Sequence, residues 1–198
     1  MPEQVPFVGL TGGLGAGKST ALETLRELGA ETISSDAVVH ELYASPELRD
    51  AVVARWGPEV APAGVVDRAA VARHAFASED ERRWLEQLLW PLVGARVGEW
   101  LSEARGRRPP PPAAVVEVPL LFEAGLQDAY DATIAVVAAE DLRSERAGAR
   151  GHEHVGERDA AQLSQDEKAA RATFVVRNDG TVEELRAQLS AVLGKLRG

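Results

Sequence analysis

One stretch near the start of the chain decides the fold: Val8-Gly9-Leu10-Thr11-Gly12-Gly13-Leu14-Gly15-Ala16-Gly17-Lys18-Ser19-Thr20. From Gly12 to Ser19 it reads G-x-x-x-x-G-K-S, the pattern of a phosphate-binding loop. An apolar run over residues 5–10 precedes it and predicts a buried parallel strand, and a helical pattern over residues 18–28 follows. The alternative is a glycine-rich turn with a chance Lys-Ser pair. Four glycines within six positions, between a strand and a helix, favour a nucleoside triphosphate site.

The residue types in this loop explain how it would bind phosphate. Glycines let successive backbone N–H groups point inward at phosphate oxygens, and the start of the helix adds partial positive charge at the same point. Lys18 supplies a full positive charge between the outer phosphates of ATP, and Ser19 offers a hydroxyl to Mg²⁺. The predicted ATP-binding residues of the loop are Gly13, Gly15, Ala16, Gly17, Lys18, Ser19 and Thr20.

Composition narrows the class of protein. The 198 residues suffice for one α/β core with an insertion, and 45% hydrophobic with 27% charged residues is ordinary for a soluble globular protein. The chain has no cysteine, which excludes disulfides, thiolate zinc sites and cysteine nucleophiles. The net charge of −9 disfavours a general nucleic-acid surface. Without a signal-peptide pattern or a membrane-length apolar run, we expect a cytoplasmic protein with no membrane partner.

Strand and helix patterns alternate along the chain. After the first strand, the pattern predicts strands over residues 31–34, 113–118, 132–137 and 173–176, and Thr181-Val182-Glu183-Glu184 predicts a capped final helix to Leu196. Such alternation predicts a five-stranded parallel sheet in a three-layer, doubly wound α/β fold.

No strand pattern occurs between Ser45 and Arg105, where helical spacing dominates. Ser45-Pro46 predicts one helix start and Ser78-Glu79-Asp80-Glu81 another, and Pro91 is expected to kink or divide the long apolar stripe after it. The four-proline run at 109–112 then marks a boundary, because it cannot be helical. We therefore expect a helical insertion over residues 35–111 and a charged helical segment over 140–172.

Two carboxylates are expected at the carboxyl ends of strands, where parallel sheets bind ligands. Asp36 follows the second strand and could take a proton from an attacking hydroxyl or help to hold Mg²⁺, but it could equally be an N-cap of the next helix. Glu117 ends the third strand, before Pro119, and could contact the water shell of the metal. The alternative for Glu117, a surface residue at a strand end, would be favoured without other evidence.

Arg143, Arg146 and Arg150 recur at three- and four-residue spacing and so share one helix face, and Arg158 follows. This pattern fits either a solvated charged face or a lid whose arginines close on phosphates, since the guanidinium fork matches phosphate oxygens. With a phosphate-binding loop in the same chain, both interpretations stay open. The histidines form no convincing metal-binding pair, and His152-x-His154 is expected in an exposed polar loop.

Taken together, these motifs resemble the dephospho-coenzyme A kinase family over nearly the whole chain. The similarity rests on the loop, on Ile33-Ser34-Ser35-Asp36, on Val118-Pro119-Leu120-Leu121-Phe122-Glu123, and on the tail segments 162–168 and 174–181. The chain departs from the usual family pattern at four places. Ser34-Ser35-Asp36 replaces Asp-Ala-Asp, His40 replaces Arg, Trp90-Pro91 replaces His-Pro, and Glu117 replaces Asp.

The resemblance implies ATP-dependent phosphorylation of the ribose 3′-hydroxyl of dephospho-coenzyme A, the last step of coenzyme A synthesis. It implies a P-loop nucleoside triphosphatase fold whose core comprises residues 1–34, 112–139 and 173–198, with the 35–111 insertion binding the acceptor substrate and a lid at 140–172. Asp36, Lys18 and Arg146 would then be catalytic, and Arg143, Arg146 and Asn178 would contact ATP. The acceptor-side residues would be Asp36, His40, Glu117, Pro119, Leu121 and Phe122.

Two other functions stay open at this point. The chain could be another small-molecule kinase, acting on a nucleoside or nucleoside monophosphate. It could also be a nucleotide-binding module without catalysis, although it lacks the Asn-Lys-x-Asp stretch that reads guanine. Turnover measured in parallel with dephospho-coenzyme A and with nucleoside monophosphates distinguishes these two functions from the one that the resemblance implies.

Overall fold

The computed structural model describes residues 4–148 and 162–197. The chain folds into two compact units, one comprising residues 1–34 and 101–198 and the other residues 35–100. Each unit has its own hydrophobic core. None of the helices in the described ranges has the length and apolar character needed to span a bilayer.

The first unit is built on a parallel sheet of five strands: β1 (Phe7–Gly12), β2 (Glu31–Ser34), β3 (Ala114–Glu117), β4 (Ala132–Val137) and β5 (Phe174–Arg177). Their order across the sheet is β2-β3-β1-β4-β5. The predicted five-stranded parallel sheet is confirmed, and two strands, β2 and β4, have the expected bounds. The other three are shifted by one or two residues, as is usual at element ends.

The helices of this unit flank the sheet: α1 (Lys18–Glu27), α6 (Glu140–Gly148), α7 (Gln165–Arg171) and α8 (Val182–Leu196). Apolar residues of α1 and α8, such as Leu25 and Leu189, join strand residues such as Val8 and Ile134 in one buried core. Strand residues 9, 11, 133 and 135 point to the opposite face because successive side chains alternate. The final helix begins as predicted, with a capping box between Thr181 and Glu184.

The second unit consists of α2 (Ser35–Leu42), α3 (Pro46–Trp56), α4 (Arg68–Ala75) and most of α5 (Glu79–Gly106). The predicted start of α3 is confirmed, because Ser45 accepts a hydrogen bond from the Leu48 N–H and Pro46 occupies the first turn. Two short 3₁₀ turns, Pro58–Val60 and Pro62–Gly64, connect α3 to α4. The core of this unit consists of apolar side chains from α3, α4 and α5. In it, the rings of Trp56 and Trp84 make an edge-to-face contact with 4.9 Å between their centroids.

Pro91 does not divide the long helix: α5 runs without interruption from Glu79 to Gly106. Proline lacks the N–H that would bond to the carbonyl four residues earlier. Pro91 is exposed, so water can satisfy that carbonyl. Of the two expected outcomes the division is therefore wrong, and the kink stays a prediction.

Candidate active site: the phosphate-binding loop and its supports

The phosphate-binding loop lies at the centre of the carboxyl edge of the sheet. β1 is flanked by β3 and β4, ends at Gly12, and is followed by the loop that leads into α1 at Lys18. Gly15 and Gly17 have φ angles of +75° and +91°, a region that favours glycine. A Cβ atom on Gly15 would clash with the Arg143 backbone carbonyl, and one on Gly17 with the Asn178 amide. The loop therefore needs glycine at both positions.

Lys18 is half-buried at the start of α1. Its Nζ donates to the carbonyl oxygens of Gly12 and Gly13, at 3.0 and 3.1 Å. These bonds hold the ammonium against the loop, beside the helix N-terminus that attracts anions. Ser19, the second residue of α1, is exposed, so its hydroxyl is free to approach a ligand at this point.

Arg143 supports the loop from α6. It is buried, its Nε donates to the Leu14 carbonyl at 2.9 Å, and its Nη1 pairs with Glu140 at 2.8 Å. Its guanidinium also lies over Gly13, where an added Cβ would come within 3.0 Å of Nη2. Interpreting the arginines as a solvated face does not fit Arg143, because its side chain is packed on the loop.

Asn178, directly after β5, is a second support. It is buried, and its Nδ2 donates to the Ala16 carbonyl of the loop at 2.9 Å. Arg146 in turn donates from Nη1 to the Asn178 carbonyl at 3.0 Å. In the structure the Asn178 amide holds the loop, and the contact with ATP that the resemblance implies for this residue stays a prediction. Arg150, Arg158, His152 and His154 lie outside the described residues.

Glu117 ends β3 in register with Leu10 of β1 and Ser34 of β2, which places it at the same sheet edge as the loop. It is buried, so the interpretation as a surface residue at a strand end is wrong. Pro119 lies half-buried two residues later, and its carbonyl accepts hydrogen bonds from within the unit. Leu121 and Phe122 are buried, and Leu121 packs against Gly9 beneath this edge. Both side chains are therefore packed inside the sheet unit, and their expected contact with the acceptor stays a prediction.

In the second unit, α2 begins at Ser35, directly after β2. Asp36 is therefore inside the first turn of α2, and the N-cap alternative does not fit. Its side chain is exposed, and His40 lies one helical turn later on the same face. His40 Nδ1 contacts Arg68 Nη1, and because arginine can only donate, this nitrogen is the acceptor.

Arg68 is a residue that the sequence did not single out. Its guanidinium lies 5.3 Å from the centroid of the Tyr43 ring, close enough for a cation–π contact, and burial raises the pKa of the Tyr43 hydroxyl. No sequence signal pairs residues 28 positions apart. Lys168 was missed for the same reason, although the structure places it at the carboxyl edge of the sheet.

The residues present fit a magnesium ion that is held mainly by nucleotide phosphates. Within residues 4–148 and 162–197 there is no group of three or more His, Cys, Asp or Glu side chains that could form a protein-built metal cage. Mg²⁺ usually keeps several waters and takes few protein ligands, and the exposed Ser19 hydroxyl is an oxygen donor of the required kind.

Fold and loop together define a class. A five-stranded parallel sheet that carries a glycine-rich loop and a lysine after its central strand is the architecture of P-loop kinases.

Comparison with known proteins narrows the class to a family. The sequence profile of the dephospho-CoA kinase family matches residues 6–184. The dephospho-CoA kinase of Deinococcus radiodurans is 40% identical over 194 residues, covering 96% of this chain and 91% of that protein. That of Symbiobacterium thermophilum is 39% identical over 190 residues, covering 93% and 79%. The chain belongs to the dephospho-CoA kinase family.

Solved structures share the fold of this chain. A Thermus thermophilus protein of known crystal structure is 34% identical to this chain, with a TM-score of 0.83. The match covers 99% of this chain and 100% of that protein. The dephospho-CoA kinase of Campylobacter jejuni shares the fold, with a TM-score of 0.69 at 22% identity and 96% coverage of both chains.

Proposed function

We propose that this protein transfers the γ-phosphoryl group of ATP to the ribose 3′-hydroxyl of dephospho-coenzyme A, which gives coenzyme A and ADP. The observation that carries the proposal is the match to the Deinococcus radiodurans dephospho-CoA kinase over 96% of this chain. The loop supports the donor side of the reaction but is shared by kinases with many acceptors. Family membership therefore decides the acceptor.

The donor side follows from the loop. Backbone N–H groups of residues 15–19 bind the β-phosphate. Lys18 neutralises the negative charge that shifts between the outer phosphates in the transition state. Ser19 would hold Mg²⁺, which supplies further charge neutralisation when it is bound. Arg143 and Asn178 keep the loop in shape through their bonds to Leu14 and Ala16.

The acceptor side rests on Asp36, whose exposed carboxylate begins α2. The 3′-oxygen attacks the γ-phosphorus, the bond from phosphorus to the β,γ-bridging oxygen breaks, and Asp36 receives the hydroxyl proton. His40, on the same face of α2, and Glu117 and Pro119, at the sheet edge, are proposed acceptor-side residues. Arg146 closes on the transferring phosphoryl group, because α6 already brings it to Asn178 beside the loop.

The test is ADP release measured in parallel with several acceptors. Dephospho-coenzyme A should support turnover, and the product should gain one phosphoryl group by mass spectrometry and a 3′-phosphate by phosphorus NMR. Coenzyme A is the matched control, since its 3′-oxygen is already phosphorylated. Faster turnover with a nucleoside monophosphate would replace the proposal with another kinase activity, and tight ATP binding without any turnover would leave a binding module.

A further inference from the structure

Lys168 is a fully buried charged residue that the proposed reaction does not use. It lies in α7, with 0% of its surface exposed. A buried ammonium is costly unless hydrogen bonds and an opposite charge compensate it, and an apolar side chain of similar size would fill the same space at less cost. Because an apolar residue would cost less here, the role of Lys168 must lie in its hydrogen bonds.

The Lys168 ammonium holds both ends of one short loop, residues 118–123, which we call the β3 exit loop. Nζ donates to the Pro119 carbonyl at 2.8 Å and pairs with Glu123 Oε1 at 2.9 Å. One side chain thus spans the loop and fixes the separation of its two ends. An apolar residue could fill the volume but could not bind these two oxygens.

The same oxygens connect the β3 exit loop to two other segments. The Pro119 carbonyl also accepts from the Thr11 hydroxyl at 3.1 Å, and Thr11 directly precedes the phosphate-binding glycines. Glu123 Oε1 also accepts from the Leu163 N–H at 3.0 Å. These hydrogen bonds attach the β3 exit loop to the end of β1 on one side and to the segment that enters α7 on the other.

The position of α7 is itself fixed at the sheet edge. The Gln165 side chain donates to the Ala138 carbonyl and accepts from the Ala138 N–H, at 2.9 and 2.8 Å, just beyond β4. Lys168 therefore projects from an anchored helix. Glu123 Oε2 is buried without a hydrogen-bond partner in the described ranges, so its carboxylate depends on Oε1 and on Lys168 for compensation.

We infer that Lys168 is a positioning residue for the acceptor substrate: with Glu123 it holds the β3 exit loop in register with the phosphate-binding loop. The inference rests on the proposed function, in which Glu117 and Pro119 lie on the acceptor side. Lys168 acts through Pro119 and Glu123 and touches neither substrate. Loss of this bracing should raise the KM for dephospho-coenzyme A or lower kcat, while ATP binding stays near that of the wild type.

The first experiment compares Lys168→Met with Lys195→Met, the matched change at an exposed lysine of α8. Lys168→Met should lower kcat/KM for dephospho-coenzyme A by about tenfold or more, since small misplacements of a substrate-positioning group have effects of this size. The Kd for ATP should change by less than about twofold, as expected when only acceptor-side interactions are lost. Lys195→Met should resemble the wild type in both.

The second experiment separates positioning from stability. Lys168→Met leaves a buried, uncompensated carboxylate and should lower the melting temperature. The double variant Lys168→Met/Glu123→Gln removes both charges and keeps an oxygen for the Leu163 N–H. We expect it to recover most of the melting temperature but not the kcat/KM for dephospho-coenzyme A. Recovery of kcat/KM together with stability would show a structural role only and would overturn the inference.

Glu123→Gln alone keeps the Lys168 bond to Pro119 and a side-chain oxygen facing Nζ, but it removes the opposite charge. It should therefore fold with a lowered melting temperature and show a smaller kinetic loss of the same kind. It decides the question if the Lys168 variants fail to fold, because acceptor kinetics equal to those of the wild type would contradict the inference. If the wild type turns over dephospho-coenzyme A and the variants have the same kcat/KM, only the role of Lys168 is overturned. A wild type that does not turn over dephospho-coenzyme A overturns the proposed function itself.

Discussion

Lys18 is the residue on which the proposed chemistry depends most directly, because it brings a full positive charge to the loop. In Lys18→Ala the helix start is retained, since alanine is a good helix former, but the charge is lost. We expect a loss of about 3 kcal/mol of transition-state stabilisation, which is about a hundredfold in kcat. ADP release and melting curves, with Lys195→Ala as the control, measure this. Turnover near that of the wild type in a folded variant would refute the assignment.

Asp36 is exposed in the first turn of α2, so a change there should disturb packing little. Asp36→Asn keeps the size of the side chain and removes the negative charge and the proton acceptor. If Asp36 is the base, turnover should fall by about a hundredfold or more, with nearly unchanged melting temperature and ATP affinity. Retained turnover would remove Asp36 from the catalytic residues.

Arg146 differs from Arg143 in its surroundings, and the two should respond differently to truncation. Arg143 is buried on the loop, whereas Arg146 is half-buried and donates to the Asn178 carbonyl. Arg146→Ala should lower kcat by about tenfold or more through loss of a phosphate-binding guanidinium, while Arg197→Ala, at an exposed position, should have little effect. Equal and negligible effects of both changes, measured by ADP release, would favour a merely structural contact.

At the scale of single residues, the sequence predicted the loop because its geometry is local. Gly15, Gly17 and Lys18 act within a few positions of one another, and their spacing is the signal. Lys168 and Glu123 are 45 positions apart, and Arg68 and His40 are 28 apart, so their pairing arises only from tertiary packing. The burial of Leu121 and Phe122 likewise depends on the completed sheet.

Among the elements, α5 shows how a local motif can be overridden. Ser78 caps the helix as predicted, by accepting from the Glu81 N–H at 3.2 Å. The Glu81 carboxylate accepts instead from Trp56 Nε1 at 2.7 Å and pairs with Arg55 at 2.8 Å, which ties α5 to α3. Strand β4 was predicted in full because its nearly continuous apolar run reflects burial of every residue in it. The Glu81 bond, by contrast, depends on which helices meet.

This arrangement predicts a pH dependence. Hydrogen bonds from Arg55 and Trp56 hold the pKa of Glu81 below its ordinary value of 4.5. A carboxyl group with a lowered pKa in the folded state stabilises that state above its ordinary pKa, and the contribution is lost as the pH falls through the lowered value. Glu81→Gln should therefore melt at a lower temperature than the wild type at neutral pH, and the difference should disappear well below pH 4.5.

Melting curves over this pH range, with Glu103→Gln as the control at an exposed position of the same helix, measure the effect. The control should show no such pH-dependent difference from the wild type. A melting difference for Glu81→Gln that stays constant down to low pH would mean that packing, not charge, explains it.

At the scale of the whole molecule, two compact units divide the proposed work. The unit with the sheet contains the phosphate-binding loop, and the unit of residues 35–100 contains Asp36 and His40 on α2 together with Arg68 on α4. The net charge of −9 would oppose two polyanionic substrates at long range. Local cations such as Lys18 at the loop can outweigh this repulsion at short distance, because salt screens the remote charges.

Hydrogen exchange measured with each ligand separately tests this division. A non-hydrolysable ATP analogue should slow exchange in peptides that cover residues 12–20, because the loop N–H groups bind phosphate. Dephospho-coenzyme A should slow exchange within residues 35–100, above all in α2. At about 100 times its Kd a ligand stabilises the bound state by about 2.7 kcal/mol, so amides that exchange only through the free protein slow by up to about a hundredfold. Protection by dephospho-coenzyme A confined to the sheet unit would place the acceptor site outside residues 35–100 and contradict the role assigned to α2.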